Sequence, residues 1–164
     1  MIRSQKETER LEMVSEFPRS IKQAEARPKI VIRVRFDYKG VPRPARFFFG
    51  GKGTREAAED LRQQQAGMWR NIPIQGVRID DIQYFELYTV FDPHEESMIA
   101  FAPMELKATV GSLEDCLRFV GREEFSCVEL LEPAQLTLSS ADLERIFFKF
   151  GETLQQKLNE QGNR

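Results

Sequence analysis

The sequence predicts a single α+β domain built on an antiparallel sheet with helices on one face. A ten-residue stretch of alternating apolar and polar residues, a later pair of alternating stretches joined by a turn, and amphipathic segments at helical spacing all favour this class. The length of 164 residues suits one domain that buries roughly 70% of its unfolded surface. We expect a helical extension over residues 1–26, the α+β domain over residues 27–160 and a disordered tail over residues 161–164.

The clearest strand signal covers residues 29–38, KIVIRVRFDY. Its expected core face consists of Ile30, Ile32, Val34, Phe36 and Tyr38. Successive side chains of a strand point to opposite faces, so Arg33 and Arg35 share the other face. The turn KGVPRP then leads to a short second strand over residues 45–50 and to the glycine-rich stretch GGKGT.

A helix is expected over residues 54–68, with Thr54 as its N-cap. Strands over residues 82–91 and 97–110 follow, joined by the turn sequence DPHEE. Alternation places Tyr84 and Tyr88 together on the outward face of the first of these strands. Phe101 has the corresponding outward position in the second, where Pro103 indicates an edge or a bulge.

The last part of the chain predicts a short helix between Ser112 and Gly121, a strand over residues 125–131 and a final helix over residues 141–158. The apolar residues expected to face the core in the final helix are Leu143, Ile146, Phe147, Phe150 and Leu154. From the second strand onward the order is β-α-β-β-α-β, as in the ferredoxin-like split βαβ motif. The first strand would extend this sheet, and the terminal helices would cover part of its open face.

Composition and residue spacing argue against several classes of function. No apolar run approaches the ~20 residues that span a bilayer, and the polar N-terminus is not a secretory signal, so we expect a cytoplasmic protein without a membrane partner. Cys116, Cys127 and the single histidine, His94, lack the spacing of zinc ligands, so no metal or cofactor is predicted. Paired acids such as Asp80 and Asp81 fall in turns and are expected to be solvated charges. No catalytic residue is predicted.

The strongest functional signal is the stretch from Arg27 to Arg55, which holds nine basic residues and one acidic residue in a chain of net charge −2. Cations interleaved with aromatic rings are typical of surfaces that bind single-stranded RNA or DNA. The candidate binding residues are Arg33, Arg35, Lys39, Arg46, Phe48, Lys52, Arg55, Tyr84, Tyr88 and Phe101. The absence of the RNP1 pattern and a pI of about 5.6 count against a dedicated nucleic-acid binder.

Two alternatives remain open. Residues 71–138 carry thirteen acids and four basic residues, so the strand arginines would pair with acids such as Glu105 within the fold or across a subunit interface. The protein would then be a protein-interaction or homo-oligomerisation module, with the amphipathic terminal helices in the interface. A weaker alternative is a small-anion site formed by the backbone of Gly51, Lys52, Gly53 and Thr54 at a helix N-terminus, although no known phosphate-loop motif matches.

Overall fold

The computed structural model describes residues 29–42 and 53–162. The predicted N-terminal helix and the predicted strand over residues 45–50 lie outside these ranges. The strands are β1 Ile30–Lys39, β2 Val77–Tyr84, β3 Tyr88–Asp92, β4 Ser97–Val110 and β5 Phe125–Glu132. The helices are α1 Thr54–Asn71, α2 Leu113–Val120 and α3 Ser140–Gly162.

The five strands form one antiparallel sheet in the order β2-β4-β1-β5, with β3 paired to β4 beyond the end of β2. Helices α1 and α2 pack on the same face of this sheet, and their buried residues join one hydrophobic core with β1 and β4. The predicted α+β class is therefore confirmed. The predicted strand over residues 45–50, which would be the first strand of the ferredoxin-like motif, lies outside the described ranges. The ferredoxin-like core therefore stays a prediction.

Strand β1 is the centre of the core, as its alternation predicted. Its five core-face side chains are at most 5% exposed. The ring of Phe36 lies 5.7 Å from that of Trp69 in α1 and 6.5 Å from that of Phe119 in α2. A single β1 side chain therefore joins the sheet to both helices, and aromatic pairs at such separations add to the free energy of burial.

The region predicted as one strand over residues 82–91 is instead two strands, with a break at residues 85–87. Pro103 of β4 lies opposite this break, and because proline has no N–H it cannot continue the hydrogen-bond ladder. Its carbonyl still accepts a hydrogen bond from the Phe85 N–H at 3.2 Å. The break changes the alternation, so Tyr84, opposite Met104, and Tyr88, opposite Phe101, lie on different faces of the sheet.

The end of β1 packs directly against the start of α1. A Cβ added to Gly40 would lie 1.8 Å from the Thr54 carbonyl oxygen, so this close approach requires glycine. The N-cap of α1 is Gly53 and not the predicted Thr54, whose hydroxyl donates to the Met98 carbonyl at 3.5 Å. The Thr54 side chain, which the local sequence predicts as the cap of α1, therefore makes a tertiary contact with β4 instead.

Helix α2 begins and ends where the sequence predicts. The Ser112 hydroxyl accepts a hydrogen bond from the Asp115 N–H, and Gly121 ends α2. The Ser139 hydroxyl accepts the Asp142 N–H at 3.2 Å, so α3 starts at a capped turn. Helix α3 then continues to Gly162, beyond the predicted end at residue 158.

Candidate functional site

The sheet face opposite α1 and α2, here called the outer face, carries several of the predicted binding residues. Strand β1 contributes Arg33, Arg35 and Lys39, and β4 contributes Phe101. Tyr88 of β3 is directly opposite Phe101, so its ring lies on the same face. The structure therefore brings half of the predicted set onto one surface.

The two arginines that β1 places on the outer face are paired with acids. The Arg33 guanidinium donates to the Glu129 carboxylate of β5 at 2.8 Å and lies 3.7 Å from that of Glu105 in β4. Arg35 donates to Asp37 on the same strand at 3.2 Å. Both guanidiniums are partly exposed, so each pair is worth at most about 1 kcal/mol. The positive charge of β1 is nevertheless largely neutralised by its neighbours.

One end of the outer face holds a group of aromatic rings. The rings of Tyr88 and Phe101 stack at 5.3 Å with an interplanar angle of 13°. The Arg35 guanidinium lies 5.8 Å from the centre of the Phe85 ring. Burial, and then the nearby Asp37 carboxylate, raises the pKa of Tyr88. The predicted alternation, with Tyr84 outward, would turn Phe85 inward. Tyr84 instead lies on the helix side, opposite Met104, so the next residue, Phe85, lies on the outer face.

Tyr84 does not belong to this group. It lies on the helix side of the sheet, where the guanidiniums of Arg62 and Arg70 in α1 stand 5.1 Å and 5.8 Å from its ring centre. Arg62 is only 5% exposed and donates to the carbonyls of Phe85 at 2.7 Å and Pro103 at 3.2 Å. The Arg62 guanidinium thus supplies hydrogen-bond donors to backbone carbonyls at the break between β2 and β3. Arg62 lies four residues after Ala58 and four before Ala66, so helical spacing places it on the buried side of α1, a signal that the sequence prediction missed.

Of the remaining predicted residues, Arg46, Phe48, Gly51 and Lys52 lie outside the described ranges. Arg55 is exposed on the first turn of α1, away from the outer face. Gly53 has an extended backbone with φ of −68°, a conformation open to any residue. The expected anion site at this turn stays a prediction.

Asp80 and Cys116, two side chains of reactive type, are held by their surroundings in states that do not favour catalysis. Burial opposes ionisation of Asp80, but hydrogen bonds from Thr109 and Arg78 outweigh it and lower the pKa of this carboxyl. Burial, followed by the Asp115 carboxylate, raises the pKa of the Cys116 thiol to about 11, which disfavours the nucleophilic thiolate. Within residues 29–42 and 53–162, no three histidine, cysteine or acidic side chains come together as a metal site would require.

Helix α3 presents an apolar surface that we call the helix stripe, formed by Leu143, Phe147, Phe150 and Leu154. These four side chains are 41%, 70%, 48% and 47% exposed, so the prediction that they face the core is wrong. The fifth residue of that prediction, Ile146, is half-buried and lines a cavity with Leu113 and Leu136. The helix packs on α2 through its polar side, where Arg145 donates to Glu114 at 2.9 Å and Thr153 lies against Gly121. This packing turns the stripe away from the core.

Strand β5 adds two apolar side chains on the helix side of the sheet. Val128 and Leu130 are opposite the buried residues Val34 and Ile32, yet they are 43% and 42% exposed. Directly opposed residues in an antiparallel pair point to the same face. Exposed apolar surface thus occurs on both of the last two elements of the chain.

Comparison of the chain with protein-family models, with curated proteins and with solved structures found no match in any of the three. Among the described helices, none is long and apolar enough to cross a membrane. The fold and the two surfaces define a small α+β domain with partly neutralised charges on its outer face and an apolar stripe on its last helix.

Proposed function

We propose that the protein is a non-catalytic interaction module that self-associates through the helix stripe. The observation that supports the proposal is the exposure of Leu143, Phe147, Phe150 and Leu154 on one side of a 23-residue helix. Contiguous apolar surface of this kind is typical of sites that bind other proteins. Aromatic residues are also enriched in the buried centres of protein interfaces.

The energetics favour a reversible association. Burying the exposed parts of the stripe on two copies would contribute on the order of 10 kcal/mol. Lost translational and rotational freedom costs at least about 4 kcal/mol. The balance is at most about 6 kcal/mol, which corresponds to a dissociation constant no tighter than tens of micromolar.

Introducing charge into the stripe tests this proposal. The double variant Phe147→Glu with Leu154→Glu is expected to weaken self-association at least ~100-fold, because four carboxylates would be placed in an apolar interface. Light scattering over a concentration series measures the change. The control is Phe148→Glu, since Phe148 is 71% exposed but lies outside the stripe. Loss of association in the control as well would contradict the assignment, as would a monomeric wild-type protein at the highest concentration.

The second candidate function is binding of single-stranded RNA or DNA at the outer face. It is supported by the stacked pair of Tyr88 and Phe101 with Arg35 and Lys39 on the adjacent strand. It ranks second because the strand arginines are paired with acids.

Fluorescence anisotropy with short single-stranded oligonucleotides at two salt concentrations tests this second function. A nucleic-acid surface predicts affinity that falls steeply with salt and that drops about tenfold in Tyr88→Ala through the loss of stacking. Phe148→Ala is the matched control, because it removes an exposed aromatic ring from α3, away from the outer face. Absence of binding at low salt would rule the function out.

A further inference from the structure

We infer that the unpaired side of strand β3, here called the β3 edge, binds an extended peptide segment of a partner protein as a further strand of the sheet. The segment is apolar at its centre and basic at both ends. The inference goes beyond the proposed self-association, because the helix stripe does not include this surface. It is carried by the open backbone of β3, by its exposed apolar side chains and by the acidic residues beyond both of its ends.

Strand β3 lies at an edge of the sheet. Among the described residues it pairs only with β4, from Tyr88 opposite Phe101 to Asp92 opposite Ser97. The backbone N–H and C=O groups on its far side are therefore open to a further strand. A peptide that adds to such an edge gains main-chain hydrogen bonds, while its alternate side chains contact the two faces of the sheet.

The other two edge strands carry features that oppose further pairing, and β3 is nearly free of them. Strand β2 has a bulge between Ile79 and Asp81. Strand β5 has register shifts near both of its ends, and Pro133 follows it. Bulges, charges and prolines are means by which sheet edges avoid pairing with other chains. Strand β3 has an unbroken register, no proline and a single charged residue, Asp92, at its end.

Strand β3 exposes apolar or aromatic side chains on both faces of the sheet. Tyr88 and Val90 lie on the outer face and are 39% and 49% exposed. Phe91 lies on the helix side opposite Met98, and both side chains are more than half exposed. These side chains offer apolar contacts to an added strand on either face. The centre of the bound segment is therefore expected to be apolar.

The charge around β3 indicates the chemistry of the ends of the segment. Residues 84–100 contain four acids and no lysine or arginine. Glu86 precedes β3, and Glu95 and Glu96 follow it; all three are exposed and make no ion pair within the described ranges. Lysine or arginine at both ends of the segment would meet opposite charge, which favours association. A second copy of β3 would instead bring these acids near one another, so charge favours a different protein as the partner.

Two synthetic peptides test the inference. Both have a centre of about five alternating valine and threonine residues, which matches the length of β3, and one has lysines at both ends where the other has glutamates. Fluorescence anisotropy of the labelled peptides with the full chain is expected to show at least about tenfold tighter binding of the lysine peptide. Methylation of its central backbone nitrogens removes the donors for strand addition and is expected to weaken binding at least about tenfold.

Val90→Lys tests the location of the site. A lysine at this position replaces apolar surface and repels the basic peptide, so binding is expected to weaken at least about tenfold. The matched control is Val128→Lys, which introduces the same charge at a valine of similar exposure on the opposite edge of the sheet. The control should bind as the wild-type protein does. Replacing the exposed Glu95 and Glu96 together with glutamine should weaken binding of the lysine peptide without altering the strand.

The other outcomes separate this inference from the proposed self-association. Equal binding of the two peptides, or equal loss in Val90→Lys and Val128→Lys, would overturn it. Loss of binding in the stripe variant Phe147→Glu with Leu154→Glu would place the peptide on α3 and overturn it as well. If that stripe variant still formed a dimer that Val90→Lys abolished, the occupant of the β3 edge would be a second copy. Absence of peptide binding with self-association intact would overturn this inference alone.

Discussion

Replacing Phe36 with alanine is expected to lower the free energy of unfolding by about 3–5 kcal/mol. The side chain is 0% exposed and lies among the rings of Tyr38, Trp69 and Phe119. Its removal leaves a cavity where the sheet meets both α1 and α2, and rigid aromatic neighbours are poorly able to fill it.

Urea unfolding followed by tryptophan fluorescence measures this loss, since Trp69 is the only tryptophan and contacts the substituted position. Phe148→Ala is the matched control because the same aromatic group is removed from a side chain that is 71% exposed. It is expected to change stability by less than about 0.5 kcal/mol. A loss below about 1 kcal/mol in Phe36→Ala would contradict the central role of β1.

Replacing Arg62 with methionine is expected to cost about 1–3 kcal/mol of stability. Methionine keeps the apolar stem but leaves the carbonyls of Phe85 and Pro103 without the guanidinium that donates to both. The Phe85 carbonyl then loses its side-chain donor and carries a desolvation penalty, whereas the Pro103 carbonyl keeps the Phe85 N–H as a donor. This penalty outweighs the small effect of losing the ion pair between Arg62 and the exposed Glu59.

Hydrogen exchange distinguishes this mechanism from a general loss of stability. In Arg62→Met the amides at the break after β2 are expected to lose protection before those of β1. Arg55→Met serves as the control, because Arg55 is exposed in the same helix and its loss should change stability by less than about 0.5 kcal/mol. Equal effects of the two substitutions would contradict the role assigned to Arg62.

Sequence alone could predict the strands and helix ends that depend on local pattern. The alternation in β1 identifies its core face, and Ser112 and Gly121 mark the ends of α2. The break between β2 and β3 could not be predicted in the same way. It depends on which residues lie opposite Pro103, and strand register is a tertiary property.

The difference between local pattern and tertiary contact also explains why the apolar side of α3 was wrongly predicted to face the core. Helical spacing shows that the stripe shares one side of the helix, but it does not show whether that side meets the core or a partner. The direction depends on contacts between α2 and α3, such as Arg145 with Glu114 and Thr153 with Gly121. These pairs are distant in sequence and have no local signature.

The outer face was predicted in part. Sequence alternation correctly predicts that Arg33 and Arg35 share one face of β1. The excess of acids in residues 71–138 predicts Glu105 as a partner of these arginines, and Arg33 does lie close to Glu105. The shorter contact of Arg33 is with Glu129, whose position depends on the pairing of β1 with β5. Whether a basic face is available to a ligand therefore depends on neighbours that local pattern does not identify.

The most direct test of self-association is sedimentation equilibrium of the wild-type protein from about 1 to about 200 µM, a range that brackets the expected dissociation constant. The apparent mass is expected to rise from the monomer value of 19.1 kDa toward twice that value as concentration increases. The rise should be absent when Phe147 and Leu154 are both replaced by glutamate. An apparent mass that stays at the monomer value throughout, or a rise that the double variant leaves unchanged, would contradict the assignment of the helix stripe as a self-association surface.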